Sequence, residues 1–371
     1  MTDDLKLDGA LSPEELKKQV EPDPKVRALT QEVKDLKATI DSLRLGEGQL
    51  QALGDAIIEH IPIARPPAQI YIPPKEKRSV DSPISVVCHN TDWHYGEYQN
   101  PDEVEGFGEF SCAICKERIL NKFNPGILDW VELHRKSYTV NELVMLYSGD
   151  MISGDIHQEL KVTNEIPSTA QAVEVAFLIE DQVLMLAPHF DVVRVEFIVA
   201  DNHSRLTAKP QAKEAGLNSF NYMTARMVQR ALRDVENVQF NYYPMLQKTI
   251  AVQNMQYLCM HGHQIKGWAG YPYYGIDRQA GKESMRRSQK STPGELTWEQ
   301  AFELWKSLRF NKMVLGHFHA PLDSPWWCIG GSVSGTSAYD HQHGRYSPPC
   351  QTAWFVHPKK GEFDRTVFDL T

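Results

Sequence analysis

Two histidines one residue apart, His317 and His319, stand directly behind the apolar run of VLGHFHAP, where a chain leaving a strand can turn both imidazoles toward one spot. That placement suits a metal ion. Four further groups share it: Asp92-x-His94, Gly149-Asp150, Asn202-His203 and His261 each follow a short apolar stretch of their own. Carboxylate, imidazole and amide donors in one set favour manganese, iron or zinc over the all-oxygen shells of calcium and magnesium. Seven such ligands exceed what one ion takes. Two ions about 3.5 to 4 Å apart can share a carboxylate and clamp both the attacking and the leaving oxygen of an in-line displacement at phosphorus.

The elements needed to gather these groups are legible from Ser82 onward. Apolar strand patterns run through 83 to 94, 142 to 150, 193 to 203, 255 to 263 and 312 to 319, each ending in a cluster of Asp, Asn or His, and TAWFVHP adds a strand near the C-terminus. Helix-period stretches, FSCAICKERILNKF and TAQAVEVAFLIEDQVLMLA, lie between the first three. Alternation of this kind predicts an α/β fold, a β-sandwich flanked by helices. In open α/β sheets ligands collect beyond the carboxyl ends of the strands, which is where every cluster falls.

Taken in order, Asp92-x-His94, Gly149-Asp150, Asn202-His203, His261 and Gly316-His317-x-His319 resemble the calcineurin-like metallophosphoesterase superfamily, whose pattern runs D-x-H, G-D, G-N-H-D/E, H and G-H-x-H. The match spans roughly residues 83 to 357. The resemblance implies two divalent ions, Mn²⁺ first, with Fe, Zn or Mg as alternatives. Asp92, His94, Asp150 and His319 would hold one of them, Asp150 bridging, and Asn202, His261 and His317 would complete the other. It implies hydrolysis of a phosphoester by a water that the ions activate, with Asp150 and His203 as catalytic residues, His203 protonating the departing oxygen or stabilising phosphoryl charge. Two departures stand in the third block. Asp201 replaces the usual glycine, as a residue that tolerates positive φ, and Ser204 replaces the acid that orients the histidine, as a hydroxyl able to accept that bond. GDMISGDIHQEL and DNHSRLTAKP resemble phage-encoded phosphoesterases, and the branch as a whole leans toward bacterial SbcD-type DNA-repair exonucleases. Because 52 residues follow His319, no separate DNA-capping domain is expected.

Neighbouring motifs read differently. Asp150, which ends its strand directly, is preferred to Asp155 and His157 of the second Gly-Asp-x-His; His263 is a substrate contact or a bystander; His341 and His343 read as a polar loop; and GGSVSGTSAYD, lacking a P-loop lysine, lets a loop turn tightly beside the site.

Charge placement gives the hint of a substrate. Arg205, Lys209, Lys213, Arg226, Arg230 and Arg233 face a single Glu214, and Arg226, Arg230 and Arg233 are spaced to share one helix face. Arg278, Lys282, Arg286, Arg287 and Lys290 form a second basic stretch, and Tyr271, Tyr273 and Tyr274 could stack on bases. Arg205, Arg226, Arg230 and Arg233 are therefore the expected substrate-binding residues, and nucleic acid, DNA above all, the expected partner. A phosphomonoesterase or small-nucleotide phosphodiesterase is the rival enzyme, and a coiled-coil adaptor carrying a degenerate fold the non-catalytic reading.

Whole-chain properties bound these readings. The chain has 371 residues, 42% hydrophobic and 23% charged, so it is ordinary globular material, and its net charge of −9 excludes a uniformly basic surface. No apolar run reaches about 18 residues, and MTDDLKLDGALSPEELKK lacks the apolar segment of a signal peptide; no membrane and a cytoplasmic location are expected, the host cytoplasm for a phage protein. Cysteines 88, 112, 115, 259, 328 and 350 read as reduced thiols. Residues 1 to 22 read as a mobile leader, 23 to 60 as a coiled-coil or amphipathic helical segment, 61 to 80 as a proline-rich linker and 81 to 371 as the catalytic domain. Val26, Leu29, Val33, Leu36, Ile40 and Leu43 form an a/d seam, so a homo-oligomer through residues 26 to 43 is expected.

Overall fold

A computed structural model describes residues 83–266, 272–290 and 296–371, together with Gln31, Val33, Lys34 and Lys37. The chain divides into two compact units, 1–55 and 56–371. Of the first, only these four positions are described, and all four are helical. The mobile leader, most of the expected coil and the proline-rich linker lie outside the described residues, as does Tyr271.

The strand β1 (Pro83–Asn90) explains the architecture of the second unit. It reads PISVVCHN, an almost continuous apolar run, and is buried along nearly its whole length. A strand so composed needs cover on both faces. Val86 and Cys88 point to one core, and Val87, on the alternate face, points to another. Parallel partners extend it on one side: β2 (Thr139–Tyr147), β3 (Val192–Ile198) and β4 (Val238–Tyr243). On the other side run two antiparallel strands, β10 (Cys350–His357) and β11 (Gly361–Asp369), completing six strands in the order β11-β10-β1-β2-β3-β4.

A second sheet of five strands, ordered β5-β6-β7-β9-β8, is built from β5 (Gln247–Val252), β6 (Met255–Met260), β7 (Lys312–Leu315), β8 (Leu322–Asp323) and β9 (Trp327–Ile329). The two sheets meet through one core, in which Val87, Val144, Leu146, Ile198, Trp354 and Val356 pack on Ile250, Tyr257, Cys259, Val314 and Cys328. Helices cover the outer faces. On the first sheet lie α1 (Cys112–Glu117), α2 (Asn124–Arg135), α3 (Ser168–Leu186) and α4 (Phe220–Ala231), which contribute Cys115, Ile127, Val175, Ile179 and Val228 to its core. On the second lies α5 (Tyr273–Lys290), through Ile276, followed in the chain by α6 (Trp298–Leu308). The result is the expected α/β sandwich with helices outside two sheets.

Of the expected strands, all appear. Those that the sequence did not disclose, β4, β5, β8 and β11, are the four sheet edges, joined by the three-residue β9. All six cysteines are free, and five of them are buried. Among the described residues, no helix is long and apolar enough to cross a membrane.

Candidate metal centre

β1, β2, β3, β6 and β7 are parallel within their sheets, so their carboxyl ends share one rim of the sandwich. The loops leaving that rim are stitched to each other through the backbone. Asp92 N–H donates to the Gly149 carbonyl (3.1 Å), His94 N–H to that of Asp150 (3.0 Å), and Gly316 N–H to that of His261 (2.9 Å). The side chains add cross-links. Asp92 accepts from the His317 N–H at 3.0 and 2.9 Å, and Asp150 accepts from the His203 N–H at 3.1 Å.

Five residues of the expected ligand set hold left-handed backbone: Asp92, His94, Asp150, His317 and His319, with φ between 47° and 70°. Such backbone costs an L-residue with a Cβ roughly 1–2 kcal/mol. Its concentration in one place marks a site where conformation is imposed for a purpose other than stability. Gly149 and Gly316 supply room. At Gly149, φ is +101° and a Cβ would lie 2.8 Å from the His261 ring. A Cβ on Gly316 would lie 2.1 Å from Thr91 Oγ1 and 2.6 Å from an Asp92 carboxylate oxygen.

All seven expected ligands are brought together, in two adjoining clusters. In one, His94 Nε2 faces His319 Nε2 at 3.0 Å, with Asp92 Oδ1 at 3.9 and 3.6 Å from them. In the other, His261 Nε2 lies 2.9 Å from Asp150 Oδ2 and 3.0 Å from Asn202 Oδ1, with a His317 ring nitrogen close by. His94 also groups with Asp150 and His203, which joins the clusters side by side. Asp92, His94, Asp150 and His261 are buried.

The donor set fits divalent cations. Each cluster presents a carboxylate and at least two imidazoles, with ligand atoms within 4.8 Å of one another, and one adds an amide oxygen. Such mixed nitrogen and oxygen donors are those of Mn²⁺, Fe and Zn²⁺ sites. The ring nitrogens are also aimed. His261 Nδ1 bonds the Ser148 carbonyl (3.0 Å), His203 Nδ1 that of Ser153 (2.6 Å), and His319 Nδ1 the carboxylate of Asp340 (3.3 Å), so each turns Nε2 inward.

Charge inside the centre is divided unequally. Burial favours a neutral His261, but the carboxylates of Asp150, Asp92 and Asp201 outweigh it and push this imidazole up to about 10. Burial lowers His319 too, and is overcome by Asp340 and Asp92, leaving it at about 9. His94, His203 and His317 follow their burial and are lowered. Burial would raise Asp150, yet His261 and His203 hold it well below the usual carboxylate range.

Two readings of the third block need correction. Asp201 does not adopt positive φ. It is buried, and its carboxylate accepts from Asp150 N–H (2.7 Å), Ser204 N–H (2.8 Å), Ser204 Oγ (2.5 Å) and Asn221 Nδ2 (2.5 Å), which makes it the knot tying β2, β3 and α4 together. Ser204 does not orient His203 either. Its hydroxyl is engaged by Asp201 and by Ser219 Oγ at 2.6 Å, and the Ser153 carbonyl takes the orienting part.

The expected substrate residues are scattered. Arg205 stands at the centre, its guanidinium bonded to the Asn202 and Thr207 carbonyls and influenced by Asp150 and Asp201. Arg226 and Arg230 are exposed on α4, Arg226 against Tyr242, and the helix leads away from Asn221 at about 1.5 Å per residue. Arg233 lies past the helix end at Ala231 and pairs with Asp234, so the three arginines do not share one helix face. Arg286 and Arg287 are tied to Glu283.

Among the other motifs, His157 is exposed and outside both clusters, and His263 lies beside His261 and His317, with ring centroids 5.7 and 6.5 Å away. The stretch read as a polar loop around His341 is instead a short helix, α7 (Ala338–Gln342), begun by a Ser337–Asp340 capping box. The glycine-rich run before it lies against the centre: Ser332 Oγ and Val333 N–H both donate to the Asp92 carbonyl. Sequence reasoning missed Asp340, Asn221, Ser153 and Gln351, the last clamping the Thr91 and Gly331 backbones. Only Asp340 carried a signal, the S-x-x-D of its cap.

No protein family and no curated protein matches the chain. Among solved structures it is similar to zinc-complexed wild-type Vps29 from Entamoeba histolytica, at 10% identity and a TM-score of 0.26, over 77% of this chain and 99% of that one. A predicted phosphoesterase from Streptococcus pneumoniae follows at 10% and 0.24, over 52% and 90%. Phosphopantetheinyl hydrolase from Mycobacterium tuberculosis follows at 10% and 0.26, over 67% and 90%.

Proposed function

We propose that this chain is a two-metal-dependent phosphodiester hydrolase acting on nucleic acid, with DNA as its substrate. The observation that supports the reading most is the convergence, from five strand ends, of Asp92, His94 and His319 beside Asp150, Asn202, His261 and His317. In this reading Asp92, His94, Asp150 and His319 hold one ion, and Asn202, His261 and His317 with Asp150 the other, Mn²⁺ being preferred. Once bound, a pair of divalent ions supplies the charge that lowers the pKa of water and neutralises phosphoryl oxygens during in-line displacement. The chain's own contribution is placement. His203, its Nδ1 fixed by Ser153, offers Nε2 beside Asp150 at 3.9 Å, where a proton carried on it can pass to the departing oxygen. Arg205, at the same rim, suits an anionic substrate.

DNA as substrate draws on Arg205, on the exposed Arg226 and Arg230 of α4, and on the exposed Arg278 and Lys282 of α5. It is in keeping with the likeness of the motifs to phage phosphoesterases and SbcD-type nucleases. A specific observation favours the rival, a phosphomonoesterase or small-nucleotide phosphodiesterase: Arg233, Arg286 and Arg287 are already paired with carboxylates, which thins the basic track. The two separate in one experiment with Mn²⁺-loaded protein. Cleavage of single- or double-stranded DNA supports the nuclease, whereas turnover of a nitrophenyl phosphoester with intact DNA supports the rival. Asp150→Asn should abolish either activity, and a variant that stays active removes Asp150 from the centre.

The seam of residues 26 to 43 is the proposed basis of a homo-oligomer. Light scattering on the full chain should give a multiple of the monomer mass, and Leu36→Lys should return the monomer; a monomeric wild type disposes of the idea.

A further inference from the structure

The two halves of the centre differ in what stands behind their imidazoles. Behind His319 is a carboxylate: Asp340 Oδ2 lies 3.3 Å from Nδ1, is buried, and is itself fixed by the Ser337 hydroxyl at 2.8 Å in the cap of α7. Behind His94 is another. Its buried Nδ1 has no hydrogen-bond partner and is 3.9 Å from Glu97 Oε2, whose side chain is 17% exposed. On the other half, His261 Nδ1 meets only a carbonyl, that of Ser148. Asp201 does lie on that side, but its oxygens are taken by Asp150 N–H, Ser204 and Asn221, and it bonds no imidazole.

A carboxylate bonded to the far nitrogen of an imidazole fixes its tautomer and raises its basicity as a ligand, and losing such a partner typically costs about 10- to 100-fold in metal affinity. Asp340 makes that bond to His319, whereas Glu97, 3.9 Å from His94 and pushed up to about 7 by its burial, adds a weaker pull without a hydrogen bond. Resting on the reading of this centre as a divalent-cation site, we propose that Asp340 and Glu97 are positioning residues that make the Asp92–His94–His319 half the tighter of the two cation positions, the first to fill. The two carboxylates come from different elements, the loop after β1 and the start of α7, and converge on one half alone.

Titration of chelator-stripped full-length protein with Mn²⁺, followed by calorimetry and by the electron paramagnetic resonance of free Mn²⁺, reads this directly. Two classes of site are expected. Asp340→Asn, close to isosteric and still able to accept from Ser337, should weaken the tight class by about tenfold or more and leave the weak class in place. Glu97→Gln, which removes a carboxylate near His94 without breaking a hydrogen bond, should weaken the same class by a smaller factor and leave the weak class in place, which keeps the test informative if one variant folds poorly. Asn202→Ala should move only the weak class. Two indistinguishable affinities, or an Asp340→Asn variant that shifts the weak class or neither, overturn the proposal while leaving a phosphoesterase intact. If no Mn²⁺ binds at all, the parent reading falls with it.

Discussion

His203 shows how a residue's part follows from which of its atoms is already engaged. Its Nδ1 is bonded to the Ser153 carbonyl, so the ring cannot turn that atom inward, and Nε2 is left 3.9 Å from Asp150 Oδ2. That distance places it beside the ligands without making it one of the chelating set that the sequence pattern names. A group that handles a proton contributes about 10²- to 10⁴-fold to rate. His203→Gln is therefore expected to lower kcat by that order while the protein still binds two Mn²⁺ ions. Loss of one ion together with activity would make His203 a ligand instead, and unchanged turnover would remove it from the chemistry. Burial lowers its pKa, with the neighbouring His261 and His319 acting in the same direction and Asp150 opposing, so its protonation depends on the charge balance of the whole centre.

Strand ends and the loops they launch decide how much of this was readable beforehand. The β7 exit is the clearest case: Gly316 sits between β7 and His317 with no room for a side chain, since a Cβ would press on Thr91 Oγ1 and an Asp92 carboxylate oxygen. Gly316→Ala should fold, because the strand before it is fully buried and unchanged, yet should displace Asp92 and weaken Mn²⁺ binding at least tenfold, as isothermal titration can measure. Full affinity in that variant would mean that Asp92 has room to move without loss. Expected ligands such as Asp92, His261 and His319 were legible because each follows a buried strand whose apolar run is nearly continuous, and such runs declare themselves. The edge strands stayed hidden for the complementary reason. β4 and β11 are half-exposed and carry charged or polar residues such as Gln239, Glu362, Asp364 and Arg365, so they lack the run. The parts played by Asp201, Ser153 and Asp340 were illegible for another cause, since the contacts that define them, with Asp150 and Asn221, His203 and His319, lie across the fold; the S-x-x-D spacing of Asp340 announces only its helix cap. The error over Arg233 was one of boundary, a helix that stops at Ala231 two residues before the arginine that its spacing would have enlisted.

At the scale of the molecule, two sheets and at least five loops hold a cluster of charge that would be unfavourable in isolation. Burial disfavours every charged group in it, and the centre reaches balance by sharing protons: His261 is pushed up to about 10 and His319 to about 9, against Asp150 held low. These imidazoles therefore carry protons at neutral pH, on the lone pairs that a cation needs. Metal binding requires the deprotonated ligand, so loading must expel them. The sign is fixed: raised pKa values mean that affinity climbs with pH through the neutral range and levels off only near pH 9 to 10, once both rings are free. At pH 7.5, filling both positions with Mn²⁺ should release about two protons, read from the slope of calorimetric enthalpy against buffer ionisation enthalpy. A slope near zero would mean that His261 and His319 do not exchange protons for cations. His319→Ala should reduce the slope by about one proton and His261→Ala by another, so the two imidazoles can be assigned separately.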